Sequence, residues 1–268
     1  MDSIWTKTFT NRKRVSLKGD IRADVAVIGG GMTGILTAWQ LKQAGVRAVV
    51  LEADRIGGGQ TGNTTAKVTS QHGMFCHTFI GNKGEEIARK YVQANQAAVE
   101  EYKRIIRERG ISCNLRECDS YVYSADGDTL AKEVESAKKL GVDAVLEKQI
   151  SLPVACAGAV CFHGQAEFHP LKFIGALAEE LEIYENTPVK EVEEHLVKTP
   201  GGSVRADKIV FAVHFPFVNF PGMYFARMHQ ERSYVLALEN AGTINGLYIG
   251  EGEDVLSFRQ YKQYLLLG

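Results

Sequence analysis

The chain has 268 residues, 45% of them hydrophobic, with 31 lysines and arginines against 32 aspartates and glutamates and a formal net charge of -1. That length can bury a sizeable core, as one large domain or two interleaved ones. The balanced charge excludes a global field that would draw the chain to nucleic acid or to an acidic membrane surface.

No apolar run reaches the roughly 18 residues of a membrane span, and the opening MDSIWTKTFTNRKRVSLKGD is polar where a secretory signal carries its apolar stretch. A cytoplasmic location is therefore expected. Cys76, Cys113, Cys118, Cys156 and Cys161 are an odd, scattered set, read as reduced thiols rather than a disulfide framework. Two Cys-x4-Cys spacings and the pair Cys161 and His163 lack a second Cys/His pair to complete four ligands, so no metal is expected. A Rieske cluster would need a further Cys and His, and no cysteine follows Cys161.

Residues 24–28 form a β-branched run that stops at Gly29, and the apolar residues of 32–44 (Ile35, Leu36, Trp39, Leu41) follow a helical spacing. Gly45 ends that helix, and 46–51 is apolar enough for a strand buried on both faces. The pattern predicts a βαβ unit. Residues 85–109 carry the spacing of a long amphipathic helix stopped by Gly110. A strand-like stretch at 111–123 and a helix at 129–140 follow, and Pro170 opens a further helix through Leu181. Strands are predicted at 183–185, 189–194 and 208–213. From 215 onward ERSYVLALE, GLYIGEG and VLSFRQYKQYLLLG read as antiparallel, half-buried strands.

The order implies an α/β fold, α+β overall: a Rossmann-like nucleotide-binding domain (20–75 plus 150–214) interleaved with a β-rich antiparallel substrate domain (215–268). Residues 76–149 fit either part. The apolar YLLLG ends the chain on a strand-like run, so the substrate part is expected to be truncated.

Gly29, Gly31 and Gly34 satisfy G-x-G-x-x-G between a strand and a helix, with Met32 and Thr33 inside the motif. Gly29 permits the tight turn, Gly31 lets the backbone approach a pyrophosphate, and Gly34 allows close helix–strand packing. The helix N-terminus faces the negative charge. Glu52, next to Ala53 at the end of the second strand, is the acid expected to bind ribose hydroxyls, which disfavours NADP. A plain NAD domain would continue into a crossover helix. Here IGGGQTGNTTAKVTSQHG follows instead, and Thr61, Asn63, Thr64 and Thr65 offer hydroxyls and an amide to phosphate and to the polar edge of a flavin. The second cluster therefore favours FAD over NAD.

The stretch DVAVIGGGMTGILTAWQLKQAGVRAVVLEADRIGGGQTGNTT resembles the N-terminal FAD-binding segment of the D-amino-acid oxidase / glycine oxidase superfamily of FAD-dependent oxidoreductases. AEFHPLKFIGALAEEL, NTPVKEVEEH and ADKIVFAVHFPF are similar to later family segments in the same order, so the likeness runs from about residue 24 to the end and is weakest at 76–149. It is nearest to the DadA-like members, some of which carry a C-terminal Rieske domain that this chain does not contain. By that resemblance Val189 meets the adenine through its backbone and Ala212 to His214 close the nucleotide site. It implies oxidation of the carbon–nitrogen bond of an amine or amino acid by hydride transfer to flavin, with oxygen or an electron carrier as acceptor. The resemblance leads one to expect that the chain lacks the family's last FAD-binding segment, which makes an FAD-binding fragment without turnover one alternative; an NAD-dependent dehydrogenase and a non-enzymatic interaction module are the others.

No catalytic acid or base is assigned. His72 and His214 lie near the presumed cofactor segments. Arg227, Arg232, Tyr234 and Arg259 are candidates for a substrate carboxylate. Cys76 beside His77 is a candidate thiol, with an inert buried cysteine as the commoner reading.

Overall fold

The computed structural model describes residues 2–220, 222–252 and 256–268. The chain opens on helix α1 (Ile4–Thr8), capped by the Ser3 hydroxyl, which accepts from the Thr6 N–H. The βαβ unit follows: β1 (Ile21–Ile28), α2 (Met32–Gln43) and β2 (Ala48–Leu51), then a 3-10 turn at Gln60–Asn63 and the short β3 (Lys67–Val68). Next come α3 (Cys76–Lys83), the long α4 (Glu85–Glu108), β4 (Arg116–Ser124), α5 (Gly127–Lys139), β5 (Ala144–Glu147) and β6 (Gly158–Glu167). Helix α6 (Pro170–Ala178) has Pro170 in its first turn, where a missing N–H costs nothing, and the His169 ring as its cap. Four strands follow, β7 (Glu182–Tyr184), β8 (Glu191–Glu193), β9 (Leu196–Thr199) and β10 (Gly202–Phe211). After α7 (Tyr224–Arg227) the chain ends in β11 (Leu236–Glu239), β12 (Leu247–Gly250), β13 (Ser257–Tyr261) and β14 (Tyr264–Leu267).

Two compact units result. The first takes Met1–Thr64 and His169–Arg232, the second Thr65–Phe168 and Ser233–Gly268. The first is built on a sheet of order β7-β2-β1-β10-β9-β8, parallel from β7 to β10 and closed by antiparallel β9 and β8. Parallel strands are buried on both faces, which is why 25–28 and 48–51 read as unbroken apolar runs. Ala26, Ile28, Val49 and Leu51 join Leu17, Val197 and Val204 in one apolar layer. The period of two turns Val25, Val27 and Val50 to the opposite face. Helix α2 packs on β1, β2 and α6.

The second unit is built on a sheet of order β11-β14-β13-β12-β4-β6-β3, with β5 also paired to β6. Its pairs are antiparallel except β12 with β4, which run parallel. Helices α3, α4 and α5 bury Ala88, Val92, Leu130, Ala137 and Leu140 against Val160 and Phe162 of β6. Helix α3 starts on Glu133, whose buried carboxylate accepts from the Cys76 and His77 N–H groups at 2.7 and 2.9 Å.

These boundaries differ from the expected ones. Residues 65–75 and 150–168, expected in the nucleotide-binding domain, lie in the second unit, because β3 pairs with β6 (Lys67 with Glu167) and β6 with β4. Residues 76–149 also belong there, whereas 215–232 fall in the first unit and, among the described residues, carry α7 and no strand. Residues 2–19, read only as polar, join the first unit by burying Trp5 and Leu17.

The second unit holds a buried charge cluster. Arg259 is 1% exposed and pairs with Glu167 at 3.0 Å, and Glu167 also takes Arg116 at 2.9 Å. Lys67 donates to the Tyr248 carbonyl at 2.8 Å and to the Ser257 hydroxyl. Burial, and then the Arg259 charge, lower the Lys67 amine to about 8. Between that value and the ordinary value of about 10.4, the folded chain has released a proton that the unfolded chain still holds. The stability attributable to Lys67 therefore rises with pH across that window. The urea midpoint of wild type relative to Lys67→Met should increase from about pH 8 to about pH 10. A constant difference would contradict the depressed amine.

Candidate dinucleotide site

The site is built where β1 ends. Gly29 turns at φ +107°, and a Cβ there would lie 2.6 Å from the Ala212 carbonyl oxygen, so only glycine permits the turn beside the end of β10. A Cβ on Gly34 would lie 1.9 Å from the Gly29 oxygen, which makes it the close-packing glycine of helix α2. Gly31 is different. It is the N-cap of α2 at φ -80°, and a Cβ there would meet only the Thr61 hydroxyl, at 3.3 Å.

Gly31 has no side chain with which to cap the helix. Of the first N–H groups, that of Met32 donates to the Thr61 hydroxyl at 2.9 Å. The remaining donors at this helix start form a positive end suited to an anion. Glu52 follows β2, and its two carboxylate oxygens accept from the Gly30 N–H at 2.6 Å and the Asp54 N–H at 2.9 Å. Each oxygen keeps a lone pair for a further donor. The Glu52 backbone is fixed as well, donating to Tyr184 O at 2.9 Å and accepting from Thr187 N–H at 2.8 Å.

Gly30 was not among the residues expected here. Its Cβ would lie 2.9 Å from Ile56 Cγ2 and 3.1 Å from Glu52 Cβ, so this glycine lets the acid close over the turn. The motif marks that position only as "x", and the need for glycine arises from the acid folding back across it.

The second glycine cluster is more ordered than an open loop. Gly57 turns at φ +70° where a side chain would meet Leu171 and Ile174 of α6, and a Cβ on Gly62 would lie 2.5 Å from the Gly57 oxygen. These two glycines serve packing within the unit. The 3-10 turn they allow buries Thr61 and sets its hydroxyl against α2. Asn63 is exposed, its amide donating to Gly59 O at 2.9 Å, and the exposed Thr64 gives its carbonyl to the Trp5 indole at 2.6 Å.

The structure thus joins Gly29, Gly31, Met32, Gly34, Glu52, Thr61 and Ala212, whose N–H donates to Ile28 O at 2.8 Å. Thr33 and Ala53 are exposed beside them in sequence. Val189 packs with the apolar layer that contains Ile28 and Leu51, and His214 is exposed beyond the end of β10. Thr65 lies in the second unit, its carbonyl accepting from Arg259, and so is not placed with this group.

The other candidates divide by environment. His72 is exposed, with its ring 3.0 Å from Thr69 O and 3.4 Å from the Tyr91 hydroxyl. Arg227, Arg232 and Tyr234 are exposed. Arg259 is committed to Glu167, to the carbonyls of Thr65 and Ala66, and to Phe168 O at 2.9 Å, which removes it as a carboxylate binder. Cys76 is fully buried, and burial followed by the Glu133 charge pushes its thiol far above the ordinary range, so it is an inert core cysteine.

The donor set fits a dinucleotide: an open helix N-terminus for the pyrophosphate, an acid held at the end of β2 for ribose hydroxyls, and at Gly31 a residue with no side chain to hinder close backbone approach. Among the described residues no helix is long and apolar enough to cross a membrane.

A protein of Bacillus subtilis (strain 168) named as a Rieske 2Fe-2S iron-sulfur protein, YhfW, is 38% identical over 236 residues, which is 84% of this chain and 46% of that protein. Gamma-glutamylputrescine oxidoreductase of Escherichia coli (strain K12) is 27% identical over 218 residues, 74% of this chain and 50% of that protein. The chain spans about half the length of these curated relatives. Among solved structures, L-proline dehydrogenase from P. horikoshii superposes with a TM-score of 0.73 at 20% identity, covering 94% of this chain and 70% of that one. Glycine oxidase from Geobacillus kaustophilus gives 0.66 at 18% identity, covering 92% and 70%. At these identities the likeness is one of fold. Residues 24–268 match the FAD dependent oxidoreductase family DAO, and the chain belongs to that family, whose cofactor is FAD.

Proposed function

We propose that this chain oxidises the carbon–nitrogen bond of an amine or amino acid, with FAD held at the turn between β1 and α2. The observation that carries the site is the uncapped start of α2 at Gly31, with the Glu52 carboxylate fixed across Gly30. The amine-directed name of one relative, gamma-glutamylputrescine oxidoreductase, supports the substrate class. When bound, FAD supplies the hydride acceptor, regenerated by oxygen or an electron carrier.

The chain's own residues bind and orient. The N–H groups at the start of α2 hold the pyrophosphate, and Glu52 accepts from ribose hydroxyls through its remaining lone pairs. Thr61 carries its hydroxyl to the helix start, while Asn63 and Thr64 extend the polar segment toward the flavin end. Val189 and the stretch from Ala212 to His214 contribute backbone at the adenine side. The five free cysteines fit a reaction carried out in the cytoplasm.

The test is anaerobic titration of the FAD-loaded chain with primary and secondary amines and with glycine, proline and D-amino acids. Loss of the oxidised flavin bands with one of them supports the proposal. Flavin that stays oxidised with all of them, yet is reduced by dithionite, favours an FAD-binding chain without turnover.

A further inference from the structure

In the second unit, Cys161 and His163 lie two residues apart on β6 and so share one face of the sheet. The neighbouring strand β4 pairs Tyr121 with Cys161 and then shifts register between Cys118 and Ser120. Asp119 thereby stands opposite His163 and Gly164 together. Gly164, at φ +70°, forms the bulge, and its N–H donates to the Asp119 carboxylate at 3.3 Å. The other Asp119 oxygen is 3.1 Å from His163 Nδ1, and Cys161 Sγ is 3.8 Å from the same nitrogen. All three donor atoms lie within 4.8 Å of one another.

We propose that Asp119, Cys161 and His163 form a three-ligand site for a divalent thiophilic cation, Zn2+ above all, with solvent in the fourth position. A tetrahedral zinc site with ordinary bond lengths has ligand–ligand edges of about 3.4–3.6 Å. The two edges at His163 Nδ1, 3.1 and 3.8 Å, lie either side of that range, and the third, from Cys161 Sγ to the Asp119 carboxylate, is within 4.8 Å, so ligation requires the side chains to draw together along that edge. The donor types are right as well: one sulfur, one imidazole nitrogen and one carboxylate oxygen suit zinc better than magnesium or calcium, which take oxygen ligands.

Cys161 is fully buried. The His163 backbone is anchored by its N–H to Asp143 O at 3.1 Å, and the half-exposed His163 and Asp119 rim the site toward solvent. A cleft of about 320 Å³, lined in part by Asp119, Tyr121, Gly164 and Asn245, opens beside it. On binding, Zn2+ displaces the Cys161 thiol proton to solvent, while imidazole coordinates in its neutral form through Nδ1 and the carboxylate as its anion. No oxidation or reduction is involved.

Equilibrium dialysis of the metal-free full chain against micromolar Zn2+, with the metal counted by mass spectrometry, tests the site. Stoichiometric uptake is expected in wild type. Affinity should be weakened by about tenfold or more in each of His163→Ala and Asp119→Asn, whose side chains are half-exposed and whose folding is checked by circular dichroism. Zinc should also raise the urea midpoint of wild type and leave that of His163→Ala unchanged. Substoichiometric uptake in wild type would overturn the site, as would equal uptake and equal stabilisation in the variants. Because none of these readouts involves flavin, their failure is distinguishable from failure of the FAD reading.

Discussion

Gly31→Leu is expected to lose FAD affinity by at least about a hundredfold, or about 2.8 kcal/mol, while remaining folded. The backbone at this position suits any residue because φ is -80°, and an added Cβ makes one tight contact, 3.3 Å to the Thr61 hydroxyl, rather than a collision with backbone. Gly29 and Gly34 allow no such separation of effects, since a Cβ at either would collide with backbone at 2.6 or 1.9 Å. At Gly31 the steric demand comes from the pyrophosphate that must approach the helix start. Fluorescence titration with FAD measures the effect, and far-UV circular dichroism confirms the fold. Wild-type affinity in the leucine variant would remove the pyrophosphate from this turn.

Arg259→Ala is expected to destabilise the second unit by about 3–5 kcal/mol, with Arg259→Lys recovering part of the loss. The guanidinium joins β13 to Glu167 at the end of β6 and to the carbonyls of Thr65, Ala66 and Phe168. Truncation leaves Glu167, whose side chain is only 6% exposed, with Arg116 as its remaining cationic partner and leaves those three carbonyls short of a donor. Lysine restores charge but not the planar fork that reaches several acceptors at once. Urea unfolding provides the measurement. An unchanged midpoint in Arg259→Ala would show that the buried pair contributes nothing.

What was legible in the sequence follows from the range of the interactions involved. The unit from β1 to β2 could be read because its turn, its helix and its buried parallel strands each leave a local mark. Helix α4 could be read because its 24 residues keep one apolar face. Strand β6 escaped notice although three strands, β3, β4 and β5, pair with it. GAVCFHGQAE is buried on both sides over most of its length, so it lacks alternation, and it contains a cysteine, a histidine and two glycines. Helix α1 is five residues long, too short for a periodic signal, yet its Trp5 is core. Arg259 looked available for a substrate because Glu167 lies 92 residues away in sequence. Asp119 was invisible as a partner of Cys161 and His163 for the same reason: the pairing of β4 with β6, and the bulge within it, are properties of the folded sheet.

The glycine roles show the same division. The spacing of Gly29, Gly31 and Gly34 pointed to a dinucleotide turn, and the geometry gives Gly29 and Gly34 the steric duties expected of them. The demands on Gly30, Gly57 and Gly62 come from Glu52, from α6 and from the turn's own backbone, contacts that exist only after folding. The segment read as a polar loop for the flavin is therefore also a structural wedge, with Thr61 linking it to α2.

The most direct test of the account is the visible absorption spectrum of the purified wild-type chain after incubation with FAD and removal of unbound cofactor, with the released cofactor then identified by chromatography. Oxidised-flavin bands and stoichiometric FAD are expected. A colourless chain that takes up no added FAD would contradict it.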